Sequence, residues 1–306
     1  MTYDILCAGD VNVDLILSGI ERIPAFGEEV IAQAMGMHMG GCTANVAVFC
    51  ARLGIRVALR ARVGKDDFGD FLLEELQKAG VATDLILRDP DLRTGITVSL
   101  SGRADRAFVT YLGTIDSLRR EDVSEALLSR ARHVHIGSYF MQRKLQPHIA
   151  AILAQARALG LTTSLDTGYD PYEQWDSGIL EALRQVSVFL PNEVEAPAIA
   201  GVQDPRVAAR KLAELSERVA MKLGAEGSVL LADGQERFAP GYPVEVVDTT
   251  GCGDAFNAGF LCAMLDGKGP EECLRWGNAA GARIAGGSGA AVERLGREEV
   301  EALVGR

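Results

Sequence analysis

Short apolar runs alternate with longer stretches of helical period along most of the chain. Residues 5–9 read as a buried strand, and residues 43–53 as a helix with small residues on one face and Gly54 as its stop. Residues 56–63 read as a strand and 68–79 as a helix ending at Gly80. The same alternation gives a strand over 133–137, a helix over 147–159 ending at Gly160, and strands over 161–166, 186–190 and 218–223. Strands alternating with helices of roughly 10–15 residues indicate βαβ units, and hence a parallel sheet covered on both faces.

Four segments break that rhythm. Residues 13–17 and 30–35 alternate polar and apolar, as do 94–100 and 106–112, the last two joined by a hairpin-like Ser101-Gly102-Arg103-Ala104-Asp105. Period-two alternation predicts strands with one wet face. The expected organisation is one α/β domain over residues 1–306, with a small β lid assembled from segments near 12–18, 29–38 and 93–113. The C-terminal third reads as helices over 252–265, 270–284 and 297–304, with Gly286-Gly287-Ser288-Gly289 as a loop. There is no internal repeat and no low-complexity linker.

Of the 306 residues, 48% are hydrophobic and 24% charged, which excludes a disordered chain. No run approaches the roughly 18 uninterrupted apolar residues of a membrane-spanning helix. The net charge of −11 repels a nucleic-acid backbone but leaves room for a small anion in a locally positive pocket. Cys7, Cys42, Cys50, Cys252, Cys262 and Cys273 form no CxxC pair, which points to free thiols in a reducing compartment. The opening Met-Thr-Tyr-Asp carries no signal-peptide pattern, so a cytoplasmic location is expected.

Residues 247–256 concentrate the candidate chemistry. An apolar, strand-like stretch enters the small-residue turn Asp248-Thr249-Thr250-Gly251-Cys252-Gly253, which runs straight into a helix. The first N–H groups of a helix lack internal partners and sit at the positive end of its dipole, so the turn builds an anion site without a lysine. Asp254 in the first turn then faces whatever the amides hold and is placed to take a proton from an attacking hydroxyl. The plainer reading, an acid that merely complements the dipole, is weakened by the preceding glycines and by the second acid, Asp248.

This segment resembles the C-terminal signature of the ribokinase-like (PfkB) carbohydrate kinases, Asp-Thr-Thr-Gly-Ala-Gly-Asp-x-Phe, with Cys252 where alanine is usual. Their N-terminal signature is matched by Gly40-Gly41-Cys42-Thr43-Ala44-Asn45-Val46-Ala47, and further landmarks by Val63-Gly64-Lys65-Asp66-Asp67-Phe68-Gly69, Pro191-Asn192-Glu193-Val194-Glu195 and Lys222-Leu223-Gly224-Ala225-Glu226-Gly227. The resemblance implies a three-layer, doubly wound, mostly parallel sheet with a small β-sheet lid. It implies transfer of the γ-phosphoryl group of ATP to a hydroxymethyl group of a small sugar, with Asp254 as base and the amides of Gly251, Cys252 and Gly253 as anion hole.

The acceptor ligands so implied are Asn12, Asp14, Gly40, Gly41 and Asn45. The nucleotide contacts are Asn192, Lys222, Gly224, Gly227, Gly253 and Asn278. Magnesium is implied near Glu195, which one helical turn would put on the same face as Asn192. Potassium is implied at Asp248, Thr250, Ile284, Gly287 and Gly289. A reactive Cys252 thiol and an inert one both remain open.

Other chemistries lack their marks. There is no GxxxxGK[ST], no GxGxxG after the first strand and no HExxH around the histidines. A silent ligand-binding relative is disfavoured by retention of Gly251, Gly253 and Asp254. The family's sugar pattern Asp-x-Asn-x-Arg is replaced by Asp166-Thr167-Gly168-Tyr169-Asp170. Residues 94–98 look like ribose or nucleoside kinases, and Phe108 and Tyr111 offer rings for a base. An unphosphorylated sugar is therefore the first expectation and a nucleoside the second. An open lid sheet can pair with another lid to make a homodimer or be covered within one chain, and the sequence does not decide between the two.

Overall fold

The structure, a computed structural model, describes residues 2–102, 106–287 and 295–305. Strand β1 (Ile5–Ala8) is buried along its length, and β2 (Asn12–Ser18) and β3 (Ala34–Gly40) follow it. Helix α1 (Cys42–Arg52) returns the chain to β4 (Val57–Arg60). Then come β5 (Arg62–Gly64), α2 (Asp67–Lys78), β6 (Leu87–Asp89), β7 (Ile96–Ser101) and β8 (Arg106–Tyr111). The alternation resumes with α3 (Glu125–Leu128), β9 (His133–Ile136), α4 (Ile149–Ala158), β10 (Thr162–Leu165), α5 (Ile179–Leu183) and β11 (Val188–Phe189). Helices α6 (Glu195–Ala200) and α7 (Pro205–Leu212) precede β12 (Arg218–Lys222), β13 (Gly227–Ala232) and β14 (Gln235–Pro240). Helices α8 (Cys252–Leu265), α9 (Pro270–Ala285) and α10 (Arg297–Val304) follow.

The large sheet has eight strands in the order β14-β13-β12-β11-β10-β9-β1-β4. The run from β4 to β12 is parallel, and β13 and β14 extend it antiparallel. One apolar layer joins this sheet to α1, α8 and α9, and a second joins its other face to α4, α5 and α7. This is the three-layer arrangement the βαβ rhythm predicts. Strand order reverses at β1, which lies between β4 and β9. Open α/β sheets bind ligands beyond the carboxyl ends of the strands at such a reversal.

The small sheet has the order β3-β2-β7-β8, with β2 and β3 antiparallel from Asn12 opposite Gly40 to Ser18 opposite Ala34. Residues 30–35, expected as a strand, belong to it only at their end, because pairing begins at Ala34 and runs to Gly40. There Met35, Met37 and Met39 alternate with Gly36, His38 and Gly40, so the period continues past the predicted boundary. Residues 56–63 also differ from the single strand expected. β4 is the edge of the large sheet, and beyond it the chain peels away so that β5 can pair with β6. The apolar stretch before Asp248 forms no strand, and Val244, Val246 and Val247 are exposed. Ser288, Gly289 and the 103–105 tip of the hairpin lie outside the described residues.

Helices α8 and α9 approach through glycine. A Cβ on Gly259 would lie 2.5 Å from the Trp276 carbonyl oxygen, and one on Gly277 would lie 2.7 Å from the Phe256 ring. Backbone cannot yield as a side-chain tip can, so overpacking outweighs the gain of about 1 kcal/mol in helix propensity. Gly259→Ala should lower stability by about 1–3 kcal/mol in urea denaturation. An unchanged midpoint would mean that the helix pair has room to spare.

Candidate active site

The carboxyl ends of β1, β9, β10 and β12 meet the N-termini of α1 and α8, and each junction carries polar groups. Beyond β1, the Asp10 carboxylate accepts from the N–H groups of Cys42 and Thr43, at 3.1 and 3.0 Å, and from the Thr43 hydroxyl. It thereby satisfies orphan donors at the start of α1. Gly41 precedes that helix at φ 100°, and a Cβ there would lie 2.9 Å from Val11 Cα. Glycine is required on both counts.

Asn45, in the first turn of α1, does not cap its helix. Its Nδ2 donates to Asp254 Oδ2 at 2.8 Å. The expected acceptor ligand and the expected base are thus in contact across the cleft. Asp254 lies in the first turn of α8, buried, and burial drives its carboxyl well above the usual range. The charges of Asp166 and Asp10 push the same way, while Asn45 and Lys222 oppose them.

Gly251 enters α8 at φ 78°. The Cys252 N–H donates to the Thr249 carbonyl at 3.2 Å, so it is engaged within the turn. The N–H groups of Gly251 and Gly253 have no partner among the described residues. Burial, with Asp248 and Asp254 nearby, pushes the Cys252 thiol up to about 11, so desolvation overrides the helix dipole and the thiol stays protonated at neutral pH.

On the small sheet, Asn12 Nδ2 donates to Asp14 Oδ1 at 2.7 Å. Burial pushes Asp14 up to about 6, with Asn12 pulling it back. Gly40, opposite Asn12, is needed for space, because a Cβ would sit 2.3 Å from the Asp14 carboxylate. Alternation puts Asn12, Asp14, Thr97 and Thr110 on one face, with Thr97 and Thr110 hydroxyls 3.1 Å apart. Phe108 shares that face and Tyr111 takes the other, so the two rings cannot stack on one base. Thr94 is not turned to a ligand, since its hydroxyl and N–H donate to Asp66.

Lys222 is expected to reach nucleotide, but its ammonium is enclosed by protein. Its Nζ donates to Asp166 Oδ2 at 2.9 Å, the Leu190 carbonyl at 2.6 Å and Asn257 Oδ1 at 3.1 Å. Asn257 Nδ2 in turn donates to the same Asp166 oxygen at 2.6 Å. Asn192 is not on a helix face with Glu195. It precedes α6, its Oδ1 accepts from the N–H groups of Val194 and Glu195, and Glu195 Oε2 accepts from the Asn192 N–H at 3.0 Å. The exchange lets α6 start at Glu195 and puts Pro197 in its first turn, where a missing N–H is tolerated. Burial and then Asp166 push Glu195 up to about 7.

Gly224 and Gly227 have φ of 56° and 117°, and a Cβ on Gly227 would lie 2.2 Å from the Ala239 carbonyl oxygen. Asn278 Nδ2 donates to the carbonyls of Ala239 and Pro240, tying α9 to β14. The Ala285 carbonyl accepts from the N–H groups of Val247 and Asp248, which ties the start of the Asp248–Thr250 turn to the last residue of α9. Asp248 Oδ1 accepts from the Thr250 N–H and hydroxyl. Asp10, Asp166 and Asn257 were not singled out from sequence. Asp10 and Asp166 each follow an apolar strand, and Asn257 lies one turn beyond Asp254, which is the signal that could have found them.

The family model for pfkB family carbohydrate kinases matches residues 2–294. The chain is 31% identical over 289 residues to the ATP-dependent ribose-1-phosphate kinase of Halopiger xanaduensis, covering 94% of this chain and 93% of that protein. It is 28% identical to the ribokinase of Bacillus subtilis, over 98% and 99% of the two chains. The solved Arabidopsis thaliana ribokinase, complexed with ribose and ATP, superposes with a TM-score of 0.86 at 26% identity, covering 99% of each chain. With its landmarks gathered at the carboxyl edge of a doubly wound sheet, the chain belongs to the PfkB family of carbohydrate kinases, phosphotransferases with an alcohol group as acceptor.

Proposed function

We propose that this sugar kinase phosphorylates the hydroxymethyl group of a small unphosphorylated sugar, with Asp254 as general base. The observation that carries the reading is the 2.8 Å bond from Asn45 to Asp254, which joins the acceptor side to the base at the start of α8. The acceptor hydroxyl donates to Asp254 and gives it the proton. Its oxygen forms a bond to the γ-phosphorus as the bond to the β–γ bridging oxygen breaks, and ADP leaves with that electron pair. The Gly251 and Gly253 amides are pre-aimed at the transferred charge and need no reorganisation.

The carboxylates of Asp14 and Asp254 and the amides of Asn12 and Asn45 suit a neutral polyol, whose hydroxyls both donate and accept. They oppose an acceptor that brings its own phosphate. Magnesium arriving with ATP would neutralise phosphate charge, and Glu195, a buried carboxyl raised to about 7, is a group that a dication returns to its ionised form. Asp248, Thr250 and the carbonyls of Ile284 and Gly287 offer a hard oxygen set for potassium, which would hold the anion-hole turn in shape. The six cysteines are unpaired, in keeping with a reducing, cytoplasmic setting.

The small sheet is read as the lid, its polar face over the acceptor. Its outer apolar face leaves Met35 70%, Val109 63% and Tyr111 55% exposed, and a second copy is the cover we infer.

Two outcomes check these readings. ADP release with magnesium-ATP should be stimulated by a free pentose or hexose more than by sugar phosphates or nucleosides, and Asp254→Asn should lose at least about 10²-fold in kcat. A sugar phosphate as best acceptor would overturn the substrate reading, and an active Asp254→Asn the assignment of the base. Light scattering after size exclusion should give a dimer for the wild type and a monomer for Met35→Asp/Val109→Asp; a monomeric wild type refutes the lid pairing.

A further inference from the structure

The Lys222 ammonium has a place in the site that nucleotide binding does not explain. It lies at the end of β12, largely enclosed, and donates to Asp166, Asn257 and the Leu190 carbonyl. A Cβ on Gly253 would be 4.0 Å from Nζ, so the charge sits directly behind the anion-hole turn. Asn257 is three residues after Asp254, on the same side of α8. The trio therefore fastens the first turns of that helix to the ends of β10 and β12.

We propose that Lys222, Asp166 and Asn257 form a positioning unit of the transfer site, in which Lys222 supplies a standing positive charge behind the Gly251–Gly253 turn and offsets the carboxylates around Asp254. The inference rests on the kinase reading above. None of the three touches the acceptor hydroxyl; they act through Asp254 and the amides.

The surroundings make a fixed cation necessary. Asp254 is faced by Asp10 from the end of β1, Cys42 and Asn45 from α1, Asp166 from the end of β10, Lys222 from β12 and Cys252 on its own helix. Glu195 and His135 border the same pair. Asp166 raises the Asp254 carboxyl and Lys222 lowers it. A base must be ionised to take the proton, so the pair sets the pH at which the enzyme switches on. Because Asp166 is buried and Lys222 largely enclosed, solvent screens the pair little.

The two charges predict shifts of opposite sign, which a packing role does not. With the acceptor found above, kcat is measured against pH for wild type, Lys222→Met, Asp166→Asn and the double variant. The acidic limb reports ionisation of the base in the ternary complex. It should move to higher pH in Lys222→Met and to lower pH in Asp166→Asn, by about 1–2 units each. The double variant should return towards wild type, with the acceptor KM little changed throughout. Limbs that stay put, or move together, overturn the proposal.

Lys222→Met leaves Asp166 buried without its cation, and if it does not fold, Asp166→Asn and the double variant carry the same test. If the wild type turns over no acceptor, the kinase reading has failed by itself. Carboxyl-carbon NMR of Asp254 in these proteins then decides the electrostatic claim without turnover, opposite shifts supporting it and equal or absent shifts overturning it.

Discussion

The proposed site depends on one constraint: a carboxylate has to be buried beside a helix N-terminus and still be able to lose its proton. Burial alone disfavours the charged form, and two more carboxylates, Asp10 and Asp166, face the same space. What opposes them is a hydrogen bond from Asn45 and the enclosed charge of Lys222. The architecture supplies both. Asn45 comes from the helix that connects the first βα unit, and Lys222 from the last parallel strand before β13 reverses direction. Neither would reach Asp254 unless β1 and β12 ended at the same edge of one sheet, with α8 laid across that edge.

Local chemistry made part of this readable in the sequence. The bounds of α8 follow from a glycine turn at one end and Asp266-Gly267 at the other, between which 253–264 is small or apolar apart from Asp254 and Asn257. The strands β1, β9 and β10 are short apolar runs between turn signals, and their positions follow from that. Where pairing partners decide, the pattern misleads. Ala61 looks like strand interior, yet the chain leaves the large sheet there, where pairing with β1 ends at Ala8 opposite Arg60. The wiring of the site was the least readable part. Asn45 and Asp254 are 209 residues apart, and Asp166 and Asn257 91. Nothing in either neighbourhood names the other, and Lys222, just before the Gly-x-x-Gly turn, has partners at 166, 190 and 257 that its own neighbourhood does not reveal.

Strand β2 shows how one segment serves two surroundings. Its alternate residues Asn12 and Asp14 lie on the polar face of the small sheet, while Val13 is wholly buried and Leu15 packs against the core on the opposite face. A slip of one residue in the pairing with β3 would exchange those faces and move Gly40 away from the carboxylate that needs its missing side chain. The glycine thus fixes register as well as space. The same alternation carries outward along β3 and β8 to Met35 and Val109, so the geometry that orients the polar ligands also produces the exposed apolar surface.

Charge explains why an acceptor without a phosphate suits this site. Two unit charges 4 Å apart interact by about 4 kcal/mol at an effective dielectric constant of 20. In the proposed reaction ATP brings its own anionic groups to the amides of Gly251 and Gly253, against a background of Asp10, Asp14, Asp166, Glu195 and Asp254, with the ammonium of Lys222 facing Asp166, Glu195 and Asp254. Lys222 cannot turn to a second phosphate without abandoning Asp166 and Asn257, which would loosen the turn that holds the first. A neutral polyol makes no such demand. In the proposed complex its hydroxyls would donate to Asp14, which at about 6 is mostly ionised at neutral pH, and accept from the amides of Asn12 and Asn45. In the proposed reaction the acceptor hydroxyl is the group that loses its proton, and Asp254, raised by burial, is the base that takes it.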